Sequence, residues 1–359
     1  MRVWLRTMLS GLVALMAVCL LLRTWVVMGL IVPMAVSGSS MAPGLRGSHF
    51  QSTCLSCGSN TDRSVESSVA AERLPCPACG EASSMITGPI LPADRLWVSR
   101  LGRPQRWDAV VAESPDERGL CVKRLVGLPG EEVAFDGGDL LIDGRVVQKT
   151  LGEQRAVRVR VAEHPGFQNR VVFTPVGQPV FTDDLPYNAA LTRRLNPVSD
   201  LMVSATVSHG DRLSASVAIG LVRFGLSDSG TAILSLDGVP VASVERRLPP
   251  HAFRLEASTF DSLAVLAIDG EVWLQSPLPR LGPIEHVEAV VSGEGSRLAE
   301  TTLWRDLYYD YPVGVSPRGW LLGPGEVFVL GDNTPVSIDS RLWGPIRRNS
   351  IVGRPLSGW

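Results

Sequence analysis

Cys121-Val122-Lys123-Arg124-Leu125-Val126-Gly127-Leu128-Pro129-Gly130 follows Trp107-Asp108-Ala109-Val110-Val111 after a short gap. Short apolar runs bounded by Gly and Pro read as strands. A lysine among Cys121, Val122, Leu125, Val126 and Leu128 is one that folding can set against an apolar wall. Two further blocks flank it: Ser40-Met41-Ala42-Pro43 upstream, and Gly331-Asp332-Asn333, Ser337 and Asp339-Ser340-Arg341 downstream. They offer, in order, a hydroxyl nucleophile, a lysine base and a polar turn able to hold both. Each block alone has an ordinary reading: a flexible Ser/Gly loop, a solvated lysine beside Arg124, an Asx-type turn with a surface Asp–Arg pair. Their occurrence together and in order carries the weight.

A serine hydroxyl is a poor nucleophile until a base takes its proton. Of five histidines only His49 is near a serine block, and the other four fall between residues 151 and 311, so a Ser-His-Asp triad has little support. A lysine serves instead if it is neutral near pH 7, and burial disfavours its charged form.

The chain has 359 residues and a formal charge of −2. Its length calls for two or three domains. No basic stripe is interleaved with aromatics, so no nucleic-acid partner is expected. Met8 to Leu22 is uncharged and apolar, with Arg2 and Arg6 before it and Arg23 after it. Fifteen residues of helix cover about 22 Å, and flanking residues complete a span if both arginines snorkel. A cleavable signal peptide is the rival, but Arg23-Thr24-Trp25-Val26 lacks its small-residue exit. The expectation is an uncleaved single-pass anchor over residues 1–27, with a cytoplasmic N-terminus and the remainder outside the cytoplasmic (inner) membrane.

Residues 28–150 read as strand-rich, with a good hairpin turn at Asp143-Gly144. Residues 49–85 interrupt them with Ser, Thr, Cys and Gly. There Cys54-x2-Cys57 and Cys76-x2-Cys79, eighteen residues apart and each followed by Gly, resemble a zinc ribbon. Outside the cytoplasm paired disulfides compete with a structural zinc. Either role is structural, since four thiolates leave no open position. Residues 151–311 alternate as strands: Leu213, Ala215, Val217 and Ile219 share a face, as do Phe253 and Leu255, and Leu263, Val265 and Ala267. With Asp237-Gly238 and Asp269-Gly270 as turns and no helical period, an antiparallel β-sandwich is expected. It is similar to concanavalin-like or laminin-G-like sandwiches, and its role is left as scaffold, exosite or binder of an unknown ligand. Residues 312–359 return to strands. The fold class is mainly β.

The chain resembles the bacterial type I signal peptidases, membrane-bound Ser/Lys endopeptidases. Val36-x-Gly38-x-Ser40-Met41-x-Pro43-x-Leu45 resembles their nucleophile box. Asp94-Arg95-x-x-Val98 and Trp107 to Val111 resemble their middle strands, Lys123 to Gly130 (then Glu131) their lysine box, and Gly331 to Pro345 their last box. The resemblance covers residues 23–48, 90–150 and 312–359. It implies Ser40 as nucleophile, with Ser39 a decoy, and Lys123 as general base. Ser337 would orient the lysine, and Asp339 and Arg341 would form a structural pair behind the site. It implies an oxyanion donor in the Ser40 N–H, with the second donor open because Gly38 stands where some members carry a hydroxyl. It implies no cofactor for catalysis, signal-peptide-bearing preproteins as partners, small residues at −1 and −3, and an apolar surface on membrane lipid to which Trp25, Met28, Leu30 and Ile31 contribute. The four cysteines and the 151–311 insert depart from the family pattern. A membrane-tethered ligand- or glycan-binding protein with an inactive core is the alternative, opposed by the complete set Ser40, Lys123 and Ser337. A self-cleaving repressor would carry a DNA-binding helix-turn-helix in place of the anchor.

Overall fold

The computed structural model describes residues 2–65, 76–81, 85–116, 119–188, 191–210 and 212–356. Residues 66–75 and 82–84 of the cysteine-bearing segment lie outside these. The chain divides into two compact units. One comprises Met1–Ser48, Pro92–Glu131 and Leu321–Trp359; the other comprises His49–Leu91 and Glu132–Trp320.

The first unit opens with helix Arg2–Leu21, continued by a π-helical stretch over Leu22–Leu30. Arg6–Leu30 has mean hydropathy 2.2 and is long and apolar enough to cross a membrane. Leu9, Leu12, Leu15, Met16 and Leu20 are all exposed, which suits a segment whose surroundings are lipid. Behind it lies a seven-stranded antiparallel sheet, in the order Ile31–Ala35, Arg95–Ser99, Ile351–Pro355, Ala109–Glu113, Leu120–Gly127, Glu326–Leu330 and Ile346–Arg347. Alternation along the strands gives the sheet two apolar faces. Val36, Met41, Leu45, Leu96, Val98, Ala109 and Val111 pack on one, with Val122 against them. Val110, Ala112, Leu125, Val327, Val329 and Ile346 pack on the other, with Cys121, Leu128 and Trp343 against them.

In the second unit two six-stranded antiparallel sheets form a sandwich. One runs Val159–His164, Arg297–Arg305, Leu201–Ser208, Phe253–Ser258, Leu263–Ile268 and Glu271–Pro277. The other runs Arg170–Phe173, Val287–Ser292, Ser214–Ile219, Val222–Ser227, Thr231–Leu236 and Val239–Glu245. The expected faces Leu213, Ala215, Val217, Ile219 and Phe253, Leu255 are in its core. Asp143, Asp237 and Asp269 all take positive φ (51°, 49° and 49°) before Gly144, Gly238 and Gly270, as tight hairpin turns require.

Strand Leu263–Ile268 differs from expectation: it is buried on both faces. Ala264, Leu266 and Ile268 face the sandwich core. Ala267 instead joins Leu151, Met202 and Phe260 in a second cluster. A short helix, Leu151–Val157, supplies Leu151 and covers that side. No helix was expected there, yet its start is written locally: Thr150 and Glu153 form a reciprocal capping box. A three-stranded sheet of Asn60–Ser64, His49–Cys54 and Met85–Leu91 carries the cysteine module.

Candidate active site

Lys123 is 4% exposed, so it is not the solvated strand lysine that its neighbour Arg124 suggests. Strand register sets Lys123 opposite Val110, on the face that carries Leu125, Cys121 and Trp343. Its ammonium lies 5.9 Å from the centre of the Trp343 ring. Burial in this wall is the main force lowering the lysine pKa below its ordinary value. The charges of Cys121 and Asp339 oppose that shift, and Arg341 adds to it. Nζ donates a 3.3 Å hydrogen bond to Ser337 Oγ.

Ser337 is held in turn by the segment that follows Leu330. Its main-chain N–H donates to the Asn333 carbonyl (3.0 Å). Asp339 is fully buried and receives the N–H of Gly331 (3.0 Å) and the guanidinium of Arg341 (Nε 2.9 Å, Nη2 2.8 Å). Arg341 also donates to the Thr334 carbonyl (2.8 Å). Asp339 caps the one-turn helix Ser340–Trp343, and Ser340 Oγ accepts from the Val329 N–H (3.1 Å), tying the turn to the sheet.

Ser40 is half-buried on the loop after strand Ile31–Ala35. That loop is anchored by buried Met41 and Leu45 and by Asp94, whose carboxylate accepts the Arg46 N–H (2.8 Å). The Asn333 N–H donates to the Ser40 carbonyl (3.0 Å), and Asn333 Nδ2 donates to the Ser39 carbonyl (2.9 Å). A methyl group on Gly331 would sit 2.1 Å from Ser337 Oγ and 2.5 Å from the Ser40 carbonyl oxygen. The Ser40 main chain and the Ser337 hydroxyl therefore meet over Gly331. All five expected residues (Ser40, Lys123, Ser337, Asp339 and Arg341) belong to this one unit.

Three contributors were not singled out from sequence. Arg124 is buried on the face opposite Lys123, where its Nε reaches Asp332 Oδ1 (2.7 Å) and its Nη1 reaches the Trp107 carbonyl (2.6 Å). Two consecutive charges on a strand point to opposite faces. In a sheet apolar on both sides each needs a partner, and Asp332 is the acidic residue of the turn that reaches Arg124. Asn333 is the third. Its amide had no visible target in the sequence, because main-chain carbonyls carry no residue-type signature.

The cysteines come together in the second unit. All four sulfurs lie within 4.8 Å of one another, with Cys54–Cys79 and Cys57–Cys76 both at 3.7 Å. A disulfide requires about 2.05 Å, whereas the edge of a tetrathiolate tetrahedron with bonds of about 2.3 Å is about 3.8 Å. The two knuckles match: the Gly58 N–H donates to the Cys54 carbonyl and the Gly80 N–H to the Cys76 carbonyl, both at 2.8 Å. Gly58 and Gly80 have φ of 73° and 79°, which only glycine adopts cheaply. Burial raises the Cys76 thiol pKa, so a dication is what would keep such thiolates charged.

Elsewhere in the second unit, Asp139, Asp200 and Asp261 place one carboxylate oxygen each within 4.8 Å of one another. Lys149 Nζ bonds Asp261 (2.5 Å) and Asp306 (2.7 Å). Burial first, and the neighbouring carboxylates behind it, push Asp139 up to about 6, Asp261 to about 7 and Asp200 to about 8. Spread over more than a hundred positions, these residues show no spacing by which sequence would find them.

A buried lysine bonded to one serine thus shares its turn with the loop that carries a second. The family model described as "Signal peptidase, peptidase S26" matches residues 5–178 and 299–359, and the chain belongs to that family. Signal peptidase I of Buchnera aphidicola is 40% identical over 40 residues, 11% of this chain and 13% of that protein. Signal peptidase I of Haemophilus influenzae is 34% identical over 62 residues, 17% and 18% of the two chains. The chain thus matches under a fifth of either relative's length. Among solved structures, a signal peptidase I from Enterococcus faecalis is 15% identical with a TM-score of 0.23, covering 71% of this chain and 97% of that one. Sheep galectin-11 covers 30% of this chain and 90% of its own, at 14% identity and a TM-score of 0.24.

Proposed function

We propose that the chain is a membrane-anchored serine endopeptidase that removes signal peptides from exported preproteins, cutting after small residues at −3 and −1. The observation that carries this is Lys123: buried in an apolar wall, lowered in pKa, and bonded to Ser337 on the turn that also holds the Ser40 main chain. Neutral Lys123 takes the Ser40 proton while Ser337 orients its amine. Ser40 Oγ attacks the scissile carbonyl, with the Ser40 N–H facing the oxyanion. The tetrahedral intermediate then expels the amine of the mature protein, which takes a proton from the Lys123 ammonium. Water, deprotonated by Lys123, hydrolyses the acyl-enzyme and frees Ser40. Asp339 and Arg341 hold the turn.

In this reading residues 1–27 anchor the chain with the N-terminus in the cytoplasm, and the residues that follow lie on the outer side. Residues 28–150 and 312–359 form the catalytic domain, of which 49–91, 132–150 and 312–320 pack within the second unit, and 151–311 form the inserted sandwich. Cys54, Cys57, Cys76 and Cys79 hold a structural zinc, supported by the 3.7 Å sulfur separations.

The test is cleavage of a signal-peptide-bearing preprotein in detergent micelles. Loss with Ser40→Ala and Lys123→Ala but not with Ser39→Ala is expected. Wild-type cleavage by Ser40→Ala would overturn the assignment.

A further inference from the structure

Asn333 is fully buried, and its N–H, its Nδ2 and its main-chain carbonyl all bond to the turn or the serine loop. Its N–H meets the Ser40 carbonyl (3.0 Å), its Nδ2 meets the Ser39 carbonyl (2.9 Å), and its carbonyl accepts the Ser337 N–H (3.0 Å). The first two bonds hold the two peptide planes on either side of the Ser40 Cα. Peptide groups are planar, so fixing both planes fixes φ and ψ of Ser40 and with them the direction of its Cα–Cβ bond. In a trans peptide the Ser39 carbonyl and the Ser40 N–H point in opposite directions. The amide that grips the Ser39 carbonyl therefore also sets where the Ser40 N–H is aimed.

We infer that Asn333 is a positioning residue for the nucleophile. Through its side-chain amide it orients the Ser39–Ser40 peptide, and so both the Ser40 hydroxyl and the Ser40 N–H that faces the oxyanion. The inference rests on the Ser40/Lys123 assignment proposed above. It separates two jobs within one turn: Ser337 acts on the lysine, and Asn333 acts on the serine. The Ser39 carbonyl also accepts the Ala42 N–H (3.1 Å). Removing the Asn333 amide therefore loosens the loop without releasing it, and the main-chain bonds of residue 333 survive the substitution.

The test uses the full chain in detergent micelles with the preprotein substrate, comparing Asn333→Ala and Asn333→Asp with the native protein. Misaiming an oxyanion donor and a nucleophile by a fraction of an ångström should lower kcat by about 10- to 100-fold. KM should stay within about twofold, and for Asn333→Ala, which adds no charge near Lys123, the midpoint of the kcat–pH profile should not move. Asn333→Asp keeps the shape but sets an acceptor against the Ser39 carbonyl, so its loss should equal or exceed that of alanine. Should Asn333→Ala fail to fold, as judged by circular dichroism and thermal melting, Asn333→Asp carries the kcat and KM arms of the test. A kcat within about threefold of native, a loss expressed in KM, or a displaced pH midpoint in Asn333→Ala would each overturn the inference. Ser40→Ala and Lys123→Ala are run alongside. If either cleaves like the native chain, the dyad assignment itself has failed. If both are dead while the Asn333 variants are active, only the role given to Asn333 is wrong.

Discussion

Gly331→Ala is the sharpest perturbation available. The added methyl would lie 2.1 Å from Ser337 Oγ, 2.5 Å from Ser337 Cβ and 2.5 Å from the Ser40 carbonyl oxygen. Ordinary carbon contacts begin at about 3.4 Å, so relief requires movements on the order of 1 Å. Neither neighbour is the free end of a flexible side chain: one is main chain, the other a buried serine bonded to Lys123. Gly331 does not adopt a positive φ, so alanine suits its backbone and the effect is purely steric. Overpacking of this kind costs about 1–3 kcal/mol of stability, and a displacement of about 1 Å at a reacting group costs roughly 100-fold in rate. The expected result is a folded protein, melting a few degrees lower, with kcat on the preprotein reduced about 100-fold. Gly44→Ala is the control. It sits close by, but its methyl would meet only the Met41 carbonyl at 3.6 Å and Asp332 Oδ2 at 3.8 Å. It should cleave within about threefold of native. A folded Gly331→Ala protein that also cleaves at the native rate would refute the argument that Ser40 and Ser337 must meet over an unsubstituted Cα.

Four further outcomes follow from the same structure. Because burial lowers the Lys123 pKa, kcat should rise with pH, with a midpoint below that of an ordinary lysine. The unfolded chain binds the extra proton between the lowered value and 10.5, so Lys123 should make stability rise with pH across that window, and Lys123→Met should abolish both trends. Asp332→Ala leaves the Arg124 guanidinium buried without its carboxylate and should cost about 3–5 kcal/mol in urea titrations, more than removing both partners together. Purified protein should contain one zinc per chain by elemental analysis. Chelation or Cys57→Ser should lower the melting temperature of the second unit, and native melting unchanged by chelation would count against the metal. Asp200 titrates near 8 in the fold against 3.8 ordinarily. Its contribution to stability is therefore full below about pH 4 and lost as pH rises through about 8, and Asp200→Asn should flatten the pH dependence and melt higher than native at pH 8.

Period-two alternation between Asp-Gly turns was enough to anticipate a β protein, the hairpins at 143, 237 and 269, and the core faces at Leu213 to Ile219 and at Phe253 and Leu255. It failed at Leu263–Ile268, where helix Leu151–Val157 buries the second face. Alternation reports one buried side only, and a strand covered twice shows a continuous apolar run. The cysteine knuckles were legible because tight turns force local spacing. The residues of the candidate site were legible as residue types, since a lysine in an apolar run is conspicuous. What escaped was whatever acts through main chain or at long range. The Arg124–Asp332 pair spans 208 positions, Asn333 addresses carbonyls, and the clustered aspartates become neighbours only through the fold.

Lys123 and Ser337 lie 214 positions apart, and almost all of that interval belongs to the second unit. Closing so long a loop from an open chain costs about 2 kcal/mol more than closing one of about twenty residues. A second unit that folds first replaces most of that slack with a fixed span, so its stability enters the rate at which the lysine finds its serine. There is also a consequence in time. During synthesis Ser40 and Lys123 emerge well before residues 331–341, the segment whose Asn333 and Ser337 bond the Ser40 carbonyl and the Lys123 amine. A nascent chain therefore carries these two residues apart from the turn that bonds them until that segment has been made.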